Sequence, residues 1–462
     1  MLDRALVEEV LATALRRGGR FSEVFVEERT GVSVRLDDGR IEELVTGDDR
    51  GAGVRVVHGD QTAYAYSNRL DRDALLEAAR AAAAGVRDAT PGEPATMDLR
   101  TVEPSVRHRA ERPAAAIAKA DKVAWLREAD EVARAVSPDV RQVVSAYGDS
   151  VQRVLIAASD GRWVEEERQR IRLIVQVVAS RGGVIQTGFW GPAGLAGVEF
   201  LDAHPPRETA ERAARQAVTM LDSIPSPAGE MAVVMGPGGG GVLFHEACGH
   251  GLEADLIQKE ASIYRDRLGD TLASPLVTGI DDATVPNAWG SFSFDDEGTP
   301  SQRTVLFEGG DLRGYMYDRL RADHDGVPST GNGRRQSYAN LPIPRMTNSY
   351  ILPGGSAPED VIGDTARGVY AVSIGGGQVN PATGDFVFGV SEGYLIEDGR
   401  VTTPVRGANL VGNGTDILSR IDAVASDFDV FYGICGKEGQ GVPVGNGSPT
   451  LRIARMTVGG TG

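Results

Sequence analysis

The chain is poor in cysteine, in cationic residues and in aromatics, and it has no long apolar run. Two cysteines in 462 residues, Cys248 and Cys435, cannot staple a scaffold of this size, and they suit a reducing compartment. Lys and Arg number 48 against 65 Asp and Glu, which leaves a formal charge of −17. That shortage of cations excludes an electrostatic hold on phosphate backbones, so nucleic acid drops out as a partner. No apolar stretch approaches the ~20 residues that a membrane span needs. The opening MLDRALVEEVLATALRRGG alternates charge with apolar residues at helical spacing, and it lacks the unbroken apolar core and cleavage site of a secretory signal. The expectation is a soluble cytoplasmic protein that touches no membrane.

What is present is the composition of a globular protein, 41% hydrophobic and 24% charged. The length calls for two domains of roughly 200 residues each. Residues 21–67 read as short alternating strands with a turn at Asp37-Asp38-Gly39-Arg40, followed by a helix over 70–86. Residues 88–113 read as a long connection, and 114–136 as a helix. The theme then recurs, with strands over 140–190, a turn at Ser159-Asp160-Gly161-Arg162 and an alanine-striped helix over 206–221, a pseudo-repeat of pattern rather than identity. Two prolines and small residues over 223–230 mark a boundary. The expected fold is α+β: an N-terminal domain of antiparallel strands and helices over 1–225, and a glycine-rich, mostly β domain over 230–462. The second domain carries one important helix, expected over 242–261.

That helix opens on the chemistry. An apolar strand over 231–235 and a tight turn at Gly236-Pro-Gly-Gly-Gly-Gly241 lead into HEACGH, residues 245–250. Neutral imidazoles are the commonest zinc ligands, and a neighbouring carboxylate can take a proton from water at the metal. His245 and His250 are five residues apart, however, and on a regular helix they would point ~140° from one another. An i→i+5 π-type turn, eased by Gly249, would bring the rings together. A catalytic zinc usually has three protein ligands. Cys435 is the best third donor, flanked by glycines and near Lys437, which would favour its thiolate; Cys248, inside the turn, is its competitor. The glycines at 236–241 also satisfy GxGxxG, but no second strand ending in an acid follows, so a dinucleotide site is a poor reading.

Five stretches resemble the TldD/PmbA (TldD/TldE, modulator of DNA gyrase) family: HEACGHGLEAD at 245–255, DDEGTPSQ at 295–302, TGNGRRQSYA at 330–339, PRMTNSYILPG at 344–354 and CGKEGQGVPVGNGSPTLRI at 435–453. The likeness runs through most of the chain, in the right order. Because His245, Glu246 and His250 are kept, the chain looks like the metal-bearing TldD type. The resemblance implies a metalloprotease whose single ion, zinc or another divalent metal, is held by His245, His250 and Cys435, with Glu246 as general base. It implies a homodimer, or a heterodimer with a TldE/PmbA-like paralogue, acting on unfolded or extended peptides in an enclosed chamber, including maturation of ribosomally made peptides. The rival reading is a non-catalytic partner or assembly subunit of a peptidase complex. Arg334, Arg335 and Arg345 are candidates for binding peptide carboxylates or an oxyanion, and Asn332, Tyr338 and Asn348 for holding an extended peptide backbone. His324 could assist proton transfer. His58, His108 and His204 belong to no constellation.

Overall fold

The computed structural model describes residues 2–86 and 97–460. It is an α+β fold in which one large antiparallel sheet backs onto a second, mostly β half. The first helix, Arg4–Leu15, is capped by the Asp3 side chain, and Arg72–Gly85 by that of Asp71. Between them three strands, Phe21–Asp37, Arg40–His58 and Gln61–Ser67, form a meander. Asp38 and Gly39, at φ 49° and 74°, make the tight turn of its first hairpin. The second copy of the pattern follows as Lys119–Val136, Val140–Ala158, Arg162–Arg181, Val184–Trp190 and Pro206–Met220. The first part of the expected connection, residues 88–96, lies outside the described residues.

The two copies share one sheet, because Phe21–Asp37 pairs antiparallel with Val140–Ala158 along almost its whole length. Strands expected to be short are therefore long, reaching 20 residues in Arg162–Arg181, since each continues across the join. Alternation assigns the faces. Val24, Val26, Val54 and Leu155 pack under the first two helices, and Val143, Val175 and Val177 under Lys119–Val136 and the alanine stripe of Pro206–Met220. The opposite face meets the C-terminal half: Phe25, Val154 and Ile156 touch Phe294 and Tyr338. Buried ion pairs cross the same boundary, Arg335 to Glu23, Arg55 to Glu297 and Arg168 to Asp296.

Beyond Gly229 the chain is mostly β. Arg367–Val379, Gly229–Met235, Leu451–Gly459, Asn409–Asn413 and Asp385–Glu397 pair in that order, and the last pairs again with the first, so the sheet closes on itself. A six-stranded sheet stands beside it, ending in the hairpin Gln440–Ser448 and Asp429–Lys437, with Asp429–Lys437 at the edge. The expected single helix over 242–261 is corrected. It begins earlier, as Gly239–Phe244, and breaks into a π turn at His245–Gly249, a 3-10 turn at His250–Leu252 and a short helix Ala254–Gln258. Its pieces are buried between the two sheets, and packing there replaces the regular ladder.

Candidate metal centre

Glycine lets the histidine segment lie flush on the hairpin that carries Cys435. A Cβ on Gly241 would come within 2.5 Å of the Asn446 carbonyl carbon, and one on Gly249 within 2.2 Å of the Met346 sulfur. This contact with protein backbone accounts for the run at 236–241 without a dinucleotide. At His250 the backbone N–H donates to the carbonyl of His245, five residues back, so the π-type turn is present.

The turn brings both imidazoles onto one thiol. His245 Nε2 and His250 Nε2 each lie 3.3 Å from Cys435 Sγ, and the three donor atoms fall within 4.8 Å of one another. Ligand distances of ~2.1 Å to nitrogen and ~2.3 Å to sulfur at a tetrahedral angle put N and S on the order of 3.5 Å apart, so the set fits one small ion. Burial pushes the Cys435 thiol up, but the two imidazoles outweigh it and bring the group down to about 4. Cys248 is not in the set. It is fully buried, donates to the Phe244 carbonyl at 3.0 Å, and burial holds its thiol well above the usual range. Both cysteines are free.

One expectation about a charged neighbour is corrected. Lys437 does not serve the thiolate; its ammonium sits 2.9 Å from Glu253 and 2.6 Å from Asp255. Glu253, which the sequence reading passed over, is instead the partner of His250, with Oε2 3.1 Å from Nδ1. Burial favours its neutral form, yet Lys437 and then His250 hold its carboxyl down to about 2. As an anion it accepts the Nδ1 proton, the arrangement in which Nε2 can serve an ion as ligand. Burial lowers the His250 pKa, but Glu253 overrides it and raises the group well above its usual value. The signal was in the sequence, an acid three residues beyond His250, one turn along the same face.

Glu246 is half-buried and lines a cavity of about 560 Å³ together with His250, Cys435, Gln378, Ile434 and Lys437. None of the six residues expected to bind substrate lines it. Arg345 is fully buried and donates to the carbonyls of Cys435 at 2.5 Å and Gln440 at 3.1 Å, strapping the hairpin. Arg334 donates to Met346 and, at 2.8 Å, to Pro443. Asn348 donates to Asp282 at 2.7 Å and Ser291 at 2.9 Å. Tyr338 belongs to the boundary between the halves, its N–H on Glu27 at 2.8 Å and its hydroxyl on Asp49 at 3.2 Å. Their donors are taken by the protein's own carbonyls, carboxylates and a hydroxyl. Asn332 and Arg335 are likewise engaged internally, and exposed His324 pairs with Asp325.

Comparison with known proteins identifies relatives that match almost the whole chain. Profiles described as PmbA/TldA metallopeptidase domain 1, central domain and C-terminal domain match residues 22–85, 112–221 and 228–460. The chain is 42% identical over 435 residues to a Haemophilus influenzae protein named metalloprotease TldD homolog, covering 92% of this chain and 90% of that one. Among solved structures it superposes on a putative modulator of a DNA gyrase from Thermotoga maritima with a TM-score of 0.81 at 21% identity, covering 98% of this chain and 99% of that one. TldE from Thermococcus kodakarensis gives a TM-score of 0.80 at 21% identity, with the same coverage. These two show a shared fold. No helix among the described residues is long and apolar enough to cross a membrane.

Proposed function

Since the chain belongs to the PmbA/TldD metallopeptidase family, we propose that it hydrolyses unfolded or extended peptides at a centre held by His245, His250 and Cys435, with Glu246 moving the proton. The observation that carries this reading is the convergence of three donor atoms within 4.8 Å beside a cavity that Glu246 also lines. A thiolate with two imidazoles suits one zinc ion better than iron or manganese. Such an ion supplies a Lewis acid that lowers the pKa of water and polarises a peptide carbonyl. The protein's own part is proton handling and positioning. Glu246, without a hydrogen-bonding partner among the described residues, is free to accept a proton from water at its carboxylate and return it to the leaving amine. Glu253 keeps His250 in one tautomer, and Arg345 and Lys437 hold the Cys435 hairpin in place.

The substrate reading rests on the strand that carries Cys435. Asp429–Lys437 is an edge strand, and residues 434–438 face the cavity, so an extended peptide can add to its open side by main-chain hydrogen bonds. A cavity of about 560 Å³ takes a few residues of chain and excludes a folded domain. For assembly we propose a dimer, with a second copy or a TldE/PmbA-like paralogue. The exposed edge of Arg40–His58 supports it, with Ile41, Leu44 and Val45 each more than 40% exposed. The unbonded cysteines fit a cytoplasmic location.

Replacing Glu246 by Gln is expected to lower peptide hydrolysis ~10²–10⁴-fold while zinc content, measured by elemental analysis, stays near one per chain. Retained cleavage would sink the role of Glu246. Purified protein that binds no metal and cleaves nothing would make the chain a non-catalytic subunit.

A further inference from the structure

Arg162–Arg181 turns three successive arginines, Arg168, Arg170 and Arg172, to the face opposite the helices, while Ile171 and Leu173 pack beneath the helices. Their fates differ. Arg168 is neutralised by Glu166 at 2.9 Å and Asp296 at 2.6 Å. Arg170 and Arg172 have no carboxylate partner among the described residues, and each has a buried Nε without a hydrogen bond. Arg170 reaches only neutral acceptors, Gln152 at 3.3 Å and the Ser291 carbonyl at 3.5 Å. Burial, then the neighbouring cations Arg168 and Arg334, pull its pKa down to about 9, and burial alone lowers that of Arg172. Both are thus held partly desolvated with no carboxylate in contact, Glu166 acting on Arg170 only at longer range, a cost that an incoming anion would relieve.

These guanidiniums line a second cavity of about 550 Å³, whose far wall is Trp289 and Ile434. Ile434 also lines the cavity at the metal centre, and it is the residue before Cys435. The two spaces therefore adjoin along the edge strand. Exposed Arg29 lines the second one too. Its acids do not cancel the charges of Arg170 and Arg172. Asp149 is turned to the helical side and bound by Lys122 at 2.6 Å. Asp48 and Asp49 stand three strands from Arg170 and Arg172, on the order of 14 Å by strand spacing; Asp49, which accepts from Tyr338, is the cross-strand neighbour of Arg29 and can offset only that charge. The floor between is small, with Gly31, Gly148 and Ser150 leaving room for a ligand.

We propose that Arg170 and Arg172, with Arg29 at the rim, form a carboxylate-binding subsite that holds an acidic group of the peptide while its backbone lies along the strand carrying Cys435. The proposal rests on the peptidase reading for its substrate class. The carboxylate has two sources, an Asp or Glu side chain or the free C-terminus, and the subsite commits the enzyme to peptides that present one of them a few residues from the scissile bond.

The test compares four peptides of otherwise identical sequence, carrying Glu or Gln at one position and ending in an acid or an amide. Binding is read by calorimetry on Glu246→Gln protein, which is not expected to turn the peptides over, and kcat/KM on the unaltered enzyme. The best carboxylate-bearing peptide should bind and react about tenfold better than its neutral analogue, the strength of one charge-assisted contact. Whichever substitution removes that advantage identifies the source. In the double variant Arg170→Gln, Arg172→Gln the ratio between the two peptides should collapse towards one. Equal behaviour of all four peptides with the unaltered chain would overturn the subsite without relying on any variant folding, as would a ratio that survives the double substitution. A binding preference without cleavage of any peptide would support the subsite and sink the peptidase reading instead.

Discussion

Glu253 shows how much of the candidate centre depends on a residue outside the three-donor set. Its carboxylate accepts from His250 and is itself held by Lys437, so the chain His250–Glu253–Lys437 fixes which imidazole nitrogen is free. Glu253→Gln is expected to weaken metal binding ~10–100-fold, measured by competition with a chromophoric chelator. Unchanged affinity would show that the contact does not orient His250. Cys435 gives a second test at this scale. With the thiol held down to about 4, alkylation in metal-stripped protein should proceed at about pH 5, where an ordinary thiol of pKa ~8.5 is inert. Folded Cys248, fully buried, should stay unlabelled. An alkylation midpoint near 8 would show that the two imidazoles do not stabilise the thiolate. HEACGH and Cys435 stood out from residue type and spacing, whereas the internal bonding of Arg345 and Asn348, expected as binding residues, did not. Their chemistry suits a ligand, and only burial reveals that backbone carbonyls already occupy it.

Among the elements, the histidine segment does what no regular helix can. Its π turn overlays two rings five residues apart, and its glycines let it press against the Cys435 hairpin. Gly241→Ala would force a Cβ onto the backbone at Asn446 and is expected to cost about 1–3 kcal/mol, read as a lower denaturation midpoint together with weaker metal binding. Full stability in that variant would mean that the close approach is not required. The five-residue spacing announced the turn. The breaks that follow it were hidden, because hydrophobic periodicity reports which residues are apolar and not whether the backbone between them stays helical. The same limit made the long strands read as short.

Taken whole, the molecule buries charge where its two halves meet. Glu297 is held by Arg55 beside Asp318, and burial, followed by repulsion from Glu297, raises the Asp318 pKa to about 7. The folded chain therefore binds this proton more tightly than the unfolded chain, whose carboxyl titrates near its ordinary ~4. Stability should fall as pH rises from about 4 to 7, and Asp318→Asn should flatten that slope in a denaturation series. An unchanged slope would place the proton elsewhere. Closing this boundary also builds the space between the arginine-bearing strand and the edge strand of Cys435, so the proposed subsite exists only in the assembled chain.

By itself the sequence determined the class of fold, the pseudo-repeat and the family, and it singled out the three residues of the candidate metal centre, because those depend on residue type, local period and order along the chain. Tertiary structure decided which residues those donors meet. Cys435 is 190 positions from His245, Arg170 more than 260 from Ile434, and their neighbourhood arises from strand pairing and from packing of buried faces. Whether an arginine is neutralised inside the fold, as Arg168 is, or left without a carboxylate partner among the described residues, as Arg172 is, turns on the geometry of carboxylates far away in the chain, which one-dimensional spacing does not encode.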